Sequence, residues 1–499
     1  MELDKDQKVI LDNLKIHYNS EHFNYSQILP ASTGFGKTRI ATHLIKYFYE
    51  KLNIRPFIIC PKTLIPMWTN TLQELNIEPV FITTYNKLAG KKECNHPYLT
   101  KCNKRYKVTK EWTKNKGVFI LCDESHAIKN KTSARHWAAT TLINHNKHGK
   151  LLHLTASPID KRDNWLCLYR NIGIVKKEKM LLYENKSYTY KNYGLGEVLS
   201  IVKKHDLKLH DETLAEYKIM SKNVIDILIH LWHGFFIKHY VVPVKDPVYK
   251  DIKGKPYEKK LFNYFATLDS PGLEIISEAT EKLKSKHIIE NDHLNVDNMK
   301  SNIGQIQLFL VELCKAKVNT VARLTKQKLK EKHRKVIICC PFIESQDLLY
   351  IQLKKYKPLI LNGKTKNREE MISLFNEPND NHRCLIMNAD VGGIGVDLHD
   401  KDGKYPRTMY IIPNYNFLTM YQSPGRIYRR GLKSDTEVYV VYSNDGAIEN
   451  IIINTLAKTS TASSILLPGS NRVYPGDFPY EIEDYSEKYK DLKQQLDEM

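Results

Sequence analysis

Long hydrophobic runs are scarce in this 499-residue chain. The longest, Val224 to Ile237, is interrupted by Asp226, His230 and His233, which makes it too short and too polar to span a bilayer. A buried helix is expected there, and no membrane partner. The chain also lacks a basic–apolar–small pattern at its start: MELDKDQKVI is charged from the outset, so a secretory address is not expected. Cysteine is sparse, with nine residues scattered along the chain, and Cys60, Cys122, Cys339 and Cys340 lie inside apolar strand-like runs. That placement suggests reduced, buried thiols in an intracellular protein rather than a disulfide framework. Acidic residues are in deficit, 56 against 76 Lys and Arg, for a formal net charge of +20. A basic excess of this size favours a polyanionic partner such as nucleic acid, because Lys and Arg neutralise phosphates and release counterions. A lysine-rich surface of skewed composition would give the same number, so the motifs must decide. No internal repeat and no low-complexity tract is present.

What is present is α/β alternation, in two stretches. Residues 1–172 carry strand-like runs at PFIIC (56–60), VFIT (80–83), GVFILC (117–122) and KLLHLT (150–155). Residues 305–460 carry another set, at KVIICC (335–340), RCLIMN (383–388), TMYIIP (408–413) and EVYVVYS (437–443). Short apolar runs alternating with helical patterns signal a parallel sheet covered by helices, with a site at the carboxyl ends of the strands. The Lys- and Tyr-rich segment 173–304 reads as mostly helical, and 461–499 as a tail.

PASTGFGKTRIATHLIKYF (30–48) follows the apolar pair Ile28–Leu29 and opens an amphipathic helix. Gly34 and Gly36 permit a tight loop whose backbone N–H groups approach phosphate oxygens. Lys37 can reach the β- and γ-phosphates of a nucleotide, Thr38 can ligate Mg²⁺, and the helix start adds its positive end. Ser32, Thr33 and Phe35 complete the loop, which begins at Ala31 where the general pattern has glycine. GVFILCDESHAIKN (117–130) ends a buried strand in Asp123 and Glu124. A nucleotide hydrolase needs one carboxylate on the metal and another to orient or deprotonate the attacking water, here Asp123 and Glu124 respectively. The spacing of about 85 residues from the loop, within one α/β lobe, makes the pair far more specific than two acids at a strand end.

The chain resembles a superfamily 2 helicase, and within it the SNF2 branch. Asp123-Glu124-Ser125-His126 is similar to that branch's DExH box, Ala31 is common in helicase-type loops, and LTASPIDKRDNWLCL (154–168) resembles motif III. Leu3 and Gln7 resemble the start of the adenine-reading motif. ICPKTLIPMW (59–68) and ITTY (82–85) resemble motifs Ia and Ib, which implies nucleic-acid contacts at Lys62, Thr63 and Thr84. VIICCPFIESQDLL (336–349), LNGKTKNREEMISLFN (361–376), MNADVGGIGVDL (387–398) and YQSPGRIYRRG (421–431) resemble motif IV, the linking pattern, motif V and motif VI. IENIIINTLAKT (448–459) resembles the closing helix. The resemblance, over about three hundred residues, implies two RecA-like lobes, ATP and Mg²⁺ as cofactors, and a backbone contact at Asn388. It further implies that Gln422, Arg426 and Arg429 act on ATP from the second lobe, the arginines stabilising charge on the γ-phosphate.

Departures are also visible. Asp397 stands where the branch usually has Asn, Asp390 where it tends to have Arg, Pro424 falls inside motif VI, and Arg430 precedes Gly431. They lean toward the divergent SNF2-like helicases of large DNA viruses and away from chromatin remodelling, for which no reading module is expected. The resulting expectation is an ATP-driven translocase on duplex DNA, favoured over RNA, with transcription or replication machinery as protein partners. Its setting would be the nucleus, a cytoplasmic viral factory or a virion. The rivals are a strand-separating DNA or RNA helicase and a nucleotide-regulated DNA- or polymerase-binding protein without turnover. Cys94, His96 and Cys102 lack a fourth zinc ligand at standard spacing, so a basic surface loop contacting DNA is preferred there. The Trp232–Phe236 cluster is expected in the core.

Overall fold

Residues such as Phe57, Ile58 and Ile59 form strands that are buried on both faces, as a parallel sheet covered by helices requires. The computed structural model describes residues 2–443 apart from 32–33, 91–95, 103–104, 116, 156–157, 160–163, 177–183, 186–187, 190–193, 218–223, 245–247, 288, 291–292, 295–302, 389–395, 415–419 and 421. Two units are present, with their boundary between residues 246 and 247.

The first unit contains β1 (Ser26–Leu29), β2 (Pro56–Ile59), β3 (Phe81–Thr83), β4 (Leu99–Cys102), β5 (Arg105–Val108), β6 (Phe119–Asp123) and β7 (Lys150–Leu154). Five of them form a parallel sheet in the order β1-β7-β6-β2-β3, and β4 and β5 form a hairpin. Register sets the function of this sheet. Leu29 pairs with Leu154, Leu154 with Asp123, Cys122 with Ile59, and Ile59 with Thr83. All five strands therefore end within one residue of the same level, and the segments that leave them gather along a single edge.

Helix α1 (Lys5–Tyr18) starts with a reciprocal cap between Asp4 and Gln7. Helix α2 (Lys37–Leu52) buries Ile40, Ala41, Leu44, Ile45 and Phe48, the one-faced spacing of an amphipathic helix. Helix α3 (Ile65–Glu74) follows β2 and buries Trp68 and Leu72. The run Val224–Ile237 is helical and buried as expected, with a π-turn at Trp232–Phe236 whose Trp232 and Phe236 are fully enclosed.

The second unit has β8 (Lys259–Ala266), β9 (Lys335–Cys339), β10 (Leu359–Leu361), β11 (Cys384–Met387), β12 (Arg407–Ile411) and β13 (Thr436–Ser443). They form one parallel sheet, β8-β13-β12-β9-β11-β10. Two parallel sheets flanked by helices are the two RecA-like lobes of the sequence reading.

Segment 173–304 does not pack as one intervening piece. Its helices between residues 195 and 240 share a core with Ile28, Trp165 and Tyr169 of the first unit. Val242 N–H then donates to the Ile28 carbonyl at 3.0 Å, tying the chain to β1. Residues 259–266, expected within a helical stretch, form edge strand β8 of the second sheet. KKLFNYFA has no clean alternation because it lies at an edge, half exposed, with Phe262 stacked on Tyr439. Strand β10 escaped notice because three residues are too few for a period.

The seven cysteines whose side chains are described are all buried and free, among them Cys60, Cys122, Cys339 and Cys340, which were expected so from their strand-like runs. Among the described residues no helix is long and apolar enough to cross a membrane. The helix and tail expected at 448–499 fall outside the described residues.

His153, in β7, is enclosed with its Nε2 2.9 Å from the Asn171 carbonyl, and burial pushes its pKa down to about 4. Because the unfolded chain protonates this ring near its ordinary 6.5, the contribution is complete above 6.5 and lost as pH falls toward 4. Moving from pH 7 to pH 5 should cost about 2 kcal/mol through this ring. Denaturant unfolding at both pH values checks it: His153→Gln should show a smaller drop than the parent, and an equal drop refutes the assignment.

Candidate active site

The loop between β1 and α2 owes its path to two glycines. Gly34 (φ +88°) and Gly36 (φ +96°) occupy left-handed backbone, and a Cβ on Gly36 would also collide with the Gln7 amide. Gln7 Nε2 donates to the Phe35 carbonyl at 2.8 Å, so α1 braces the loop directly. Lys37 begins α2 and is nearly buried, its Nζ donating to the Ala31 carbonyl at 2.8 Å. The ammonium thus lies back across the loop it would serve. Thr38 follows in the first turn of α2, whose leading N–H groups have no helical acceptors and suit an anion. Ser32 and Thr33 lie outside the described residues.

Asp123 is the last residue of β6 and is buried. Its Oδ2 accepts from Trp68 Nε1 at 3.0 Å, and its carbonyl accepts from the Tyr85 hydroxyl at 2.8 Å. Burial, helped by the charge of Glu124, pushes the carboxyl up to about 7, against the pull of the Trp68 hydrogen bond and the Lys37 charge. Glu124 has φ +51° and ψ +51°, a left-handed conformation that a side chain with a Cβ adopts at a cost of about 1–2 kcal/mol. Its Oε2 lies 3.2 Å from His126 Nδ1. Strain of this kind at a strand end marks functional positions more often than random ones.

The second unit gathers its own set. Gln422, Ser423 and Arg426 are buried around a short turn, Pro424–Arg426, that Pro424 opens at its first position. Proline inside motif VI is therefore a turn starter, not a break. The Leu398 N–H donates to the Arg426 carbonyl at 3.1 Å, knitting motif V to motif VI. Arg429 pairs with Asp397, the residue where the branch usually has Asn, and also reaches the Val396 carbonyl at 3.5 Å. Neither arginine lies on a solvent-facing basic helix, the bland alternative for such a pair.

The expected nucleic-acid contacts differ among themselves. Lys62 and Thr63 are exposed in the turn that leads into α3. Thr84 is buried, its hydroxyl capping the helix Tyr85–Ala89 through the Lys87 N–H at 3.0 Å. Asn388 donates from Nδ2 to the Pro341 carbonyl at 3.0 Å, joining two strand ends. His96 packs against Phe81 and Tyr98 with its pKa pushed down to about 4 by burial, the setting of a core ring. Cys94, the Cys102 side chain and Asp390 lie outside the described residues, and among the described residues no cluster suits a metal.

Trp68 and Tyr85 were missed as partners of Asp123, although both stand within motifs quoted for another role. The only available signal was their hydrogen-bonding capacity in otherwise apolar surroundings.

Residues 1–160 match the family described as type III restriction enzyme, res subunit, and residues 316–431 match the helicase conserved C-terminal domain. A protein of Acanthamoeba polyphaga mimivirus assigned as an ATP-dependent RNA helicase is 24% identical, over 88% of this chain and 80% of its own length. An SNF2 domain-containing protein of Oryza sativa subsp. japonica is 22% identical, over 85% of this chain and 48% of its own. The transcription regulatory protein SNF2 of Saccharomyces cerevisiae is 22% identical, over 89% of this chain and 26% of its own. The chain thus spans less than half of the two SNF2 relatives. A solved Sulfolobus solfataricus SWI2/SNF2 ATPase core in complex with dsDNA aligns over 92% of this chain and 97% of its own, at 15% identity and a TM-score of 0.33. The two share too little overall geometry for that likeness to bear on substrate.

Proposed function

We propose that this chain, a superfamily 2 helicase of the SNF2-like branch that hydrolyses ATP and binds nucleic acid, translocates along double-stranded DNA. The observation that carries this reading is the reach of the SNF2 relatives, which match 85% and 89% of the chain and so run through both sheets. The net charge of +20 supports a phosphate-rich track. Duplex DNA fits the branch better than a separated strand does, and transcription or replication machinery is the partner class that goes with it.

In this reading ATP sits on the loop 31–38. Lys37 leaves the Ala31 carbonyl to reach the β- and γ-phosphates, and Gln7 reads the adenine. A Mg²⁺ ion suits the donors present: Asp123 is a buried carboxylate beside a second acid, a repulsion that a divalent cation relieves, and Thr38 supplies a hydroxyl. Bound there, the metal would neutralise phosphate charge. Glu124 orients and deprotonates the attacking water, while Arg426 and Arg429, with Gln422 beside them, stabilise the transferring phosphoryl group.

ATPase activity measured in parallel against duplex DNA, single-stranded DNA and RNA tests this reading. Duplex DNA should stimulate most, and its binding should weaken by at least tenfold between about 50 and 200 mM salt. The mimivirus relative's assignment favours a second reading, an RNA helicase, and stimulation by RNA alone would establish that one instead.

A further inference from the structure

We infer that Trp68 and Tyr85 are positioning residues that couple nucleic-acid engagement to the metal carboxylate Asp123. The inference rests on the reading of Asp123 as the Mg²⁺ ligand.

Asp123 is grasped at two points by two different elements. The Trp68 indole holds carboxylate Oδ2 at 3.0 Å, and the Tyr85 hydroxyl holds the backbone carbonyl at 2.8 Å. All three residues are buried: Trp68 is 0%, Tyr85 4% and Asp123 3% exposed. Each grasping residue sits next to a position expected at the nucleic-acid backbone. Trp68 lies in the first turn of α3, just beyond the turn that exposes Lys62 and Thr63. Tyr85 is the first residue of the helix that Thr84 caps. Both elements leave the same edge of the sheet as Asp123, since Ile59 and Thr83 end level with Cys122, one residue before Asp123.

The chemistry of the two donors suits positioning. An indole N–H only donates, so it cannot compete for the cation while it holds one carboxylate oxygen in place. Groups that hold a metal ligand from behind set its orientation, and losing one typically costs about 10–100-fold in metal affinity or activity. In a close-packed interior a small shift of α3 is passed on rather than absorbed. Nucleic acid that seats on the turn at Lys62 would thereby act on the metal carboxylate through α3 and its Trp68.

Trp68→Phe in the full chain removes the donor and keeps a buried ring; Tyr85→Phe removes only a hydroxyl. Calorimetry of ADP binding with and without Mg²⁺ should show the Mg²⁺-dependent gain in affinity reduced about 10–100-fold in Trp68→Phe. The stimulation of ATPase by duplex DNA should fall toward unity. Duplex affinity measured without nucleotide should stay within about twofold, and Tyr85→Phe should move the same readouts in the same direction by less. Weakened DNA binding with an unchanged Mg²⁺ requirement would place Trp68 in the nucleic-acid interface and overturn the inference. So would full DNA stimulation in both variants. If Trp68→Phe does not fold, Tyr85→Phe alone decides. Asp123→Asn separates the two levels: if it keeps Mg²⁺-dependent ADP binding, the metal assignment itself fails, whatever Trp68 does.

Discussion

Glu124→Gln should bind ATP with near-parental affinity and turn it over about 10²–10⁴-fold more slowly. Glutamine keeps the size and hydrogen-bonding outline of the side chain, so it tolerates the same site; what it cannot do is accept a proton from water. The backbone at Glu124 is left-handed, and that cost is borne by either residue, so stability should scarcely change. The Glu124 carboxylate is 13% exposed and lies 3.2 Å from His126 Nδ1, which leaves the group hemmed in but reachable by a water molecule. The adjacent Asp123 is engaged by Trp68. Nucleotide affinity and single-turnover hydrolysis measured on the same preparation separate binding from chemistry. Near-normal turnover in Glu124→Gln would mean that another group activates the water.

Removing an arginine from motif VI should have an effect of similar size on turnover and little on binding. Arg429→Ala should lower turnover by up to about 10³–10⁵-fold at saturating ATP and DNA. A contribution made mainly to the transition state belongs in turnover rather than in ground-state affinity. Arg429 is the cleaner probe, because its side chain is 20% exposed and truncation leaves no deep cavity. Its partner Asp397 supplies a control. Asp397→Asn removes the charge that holds Arg429 while leaving the arginine in place, so turnover should be retained. Arg426 is buried, so Arg426→Lys, which retains the charge, is preferred to alanine. A rival role for both residues, as surface contacts to DNA phosphate, predicts weaker DNA binding with nearly normal turnover once DNA saturates. Normal saturated turnover in both variants would end the assignment.

The sequence by itself determined the local chemistry. Gly34 and Gly36 are needed because that loop requires left-handed backbone, and the requirement is written within five residues of Lys37. The buried strand runs at 56–60, 117–122, 335–340 and 437–443 were legible because a parallel strand covered on both faces is continuously apolar. The Asp123–Glu124 pair was legible for the same reason, as charge appearing where such a run stops. Only the tertiary structure decided the rest. Trp68 meets Asp123 across 55 residues of sequence, through strand register and helix seating that no local pattern encodes. Arg429 meets Asp397 although the segments that carry them follow β12 and β11, strands of one sheet with β9 between them. Lys259–Ala266 became a strand because β13 offered an unpaired edge eight residues long. The unit boundary between 246 and 247 was decided by which core each helix could bury its apolar face against, a choice among alternatives that lie far apart in the chain.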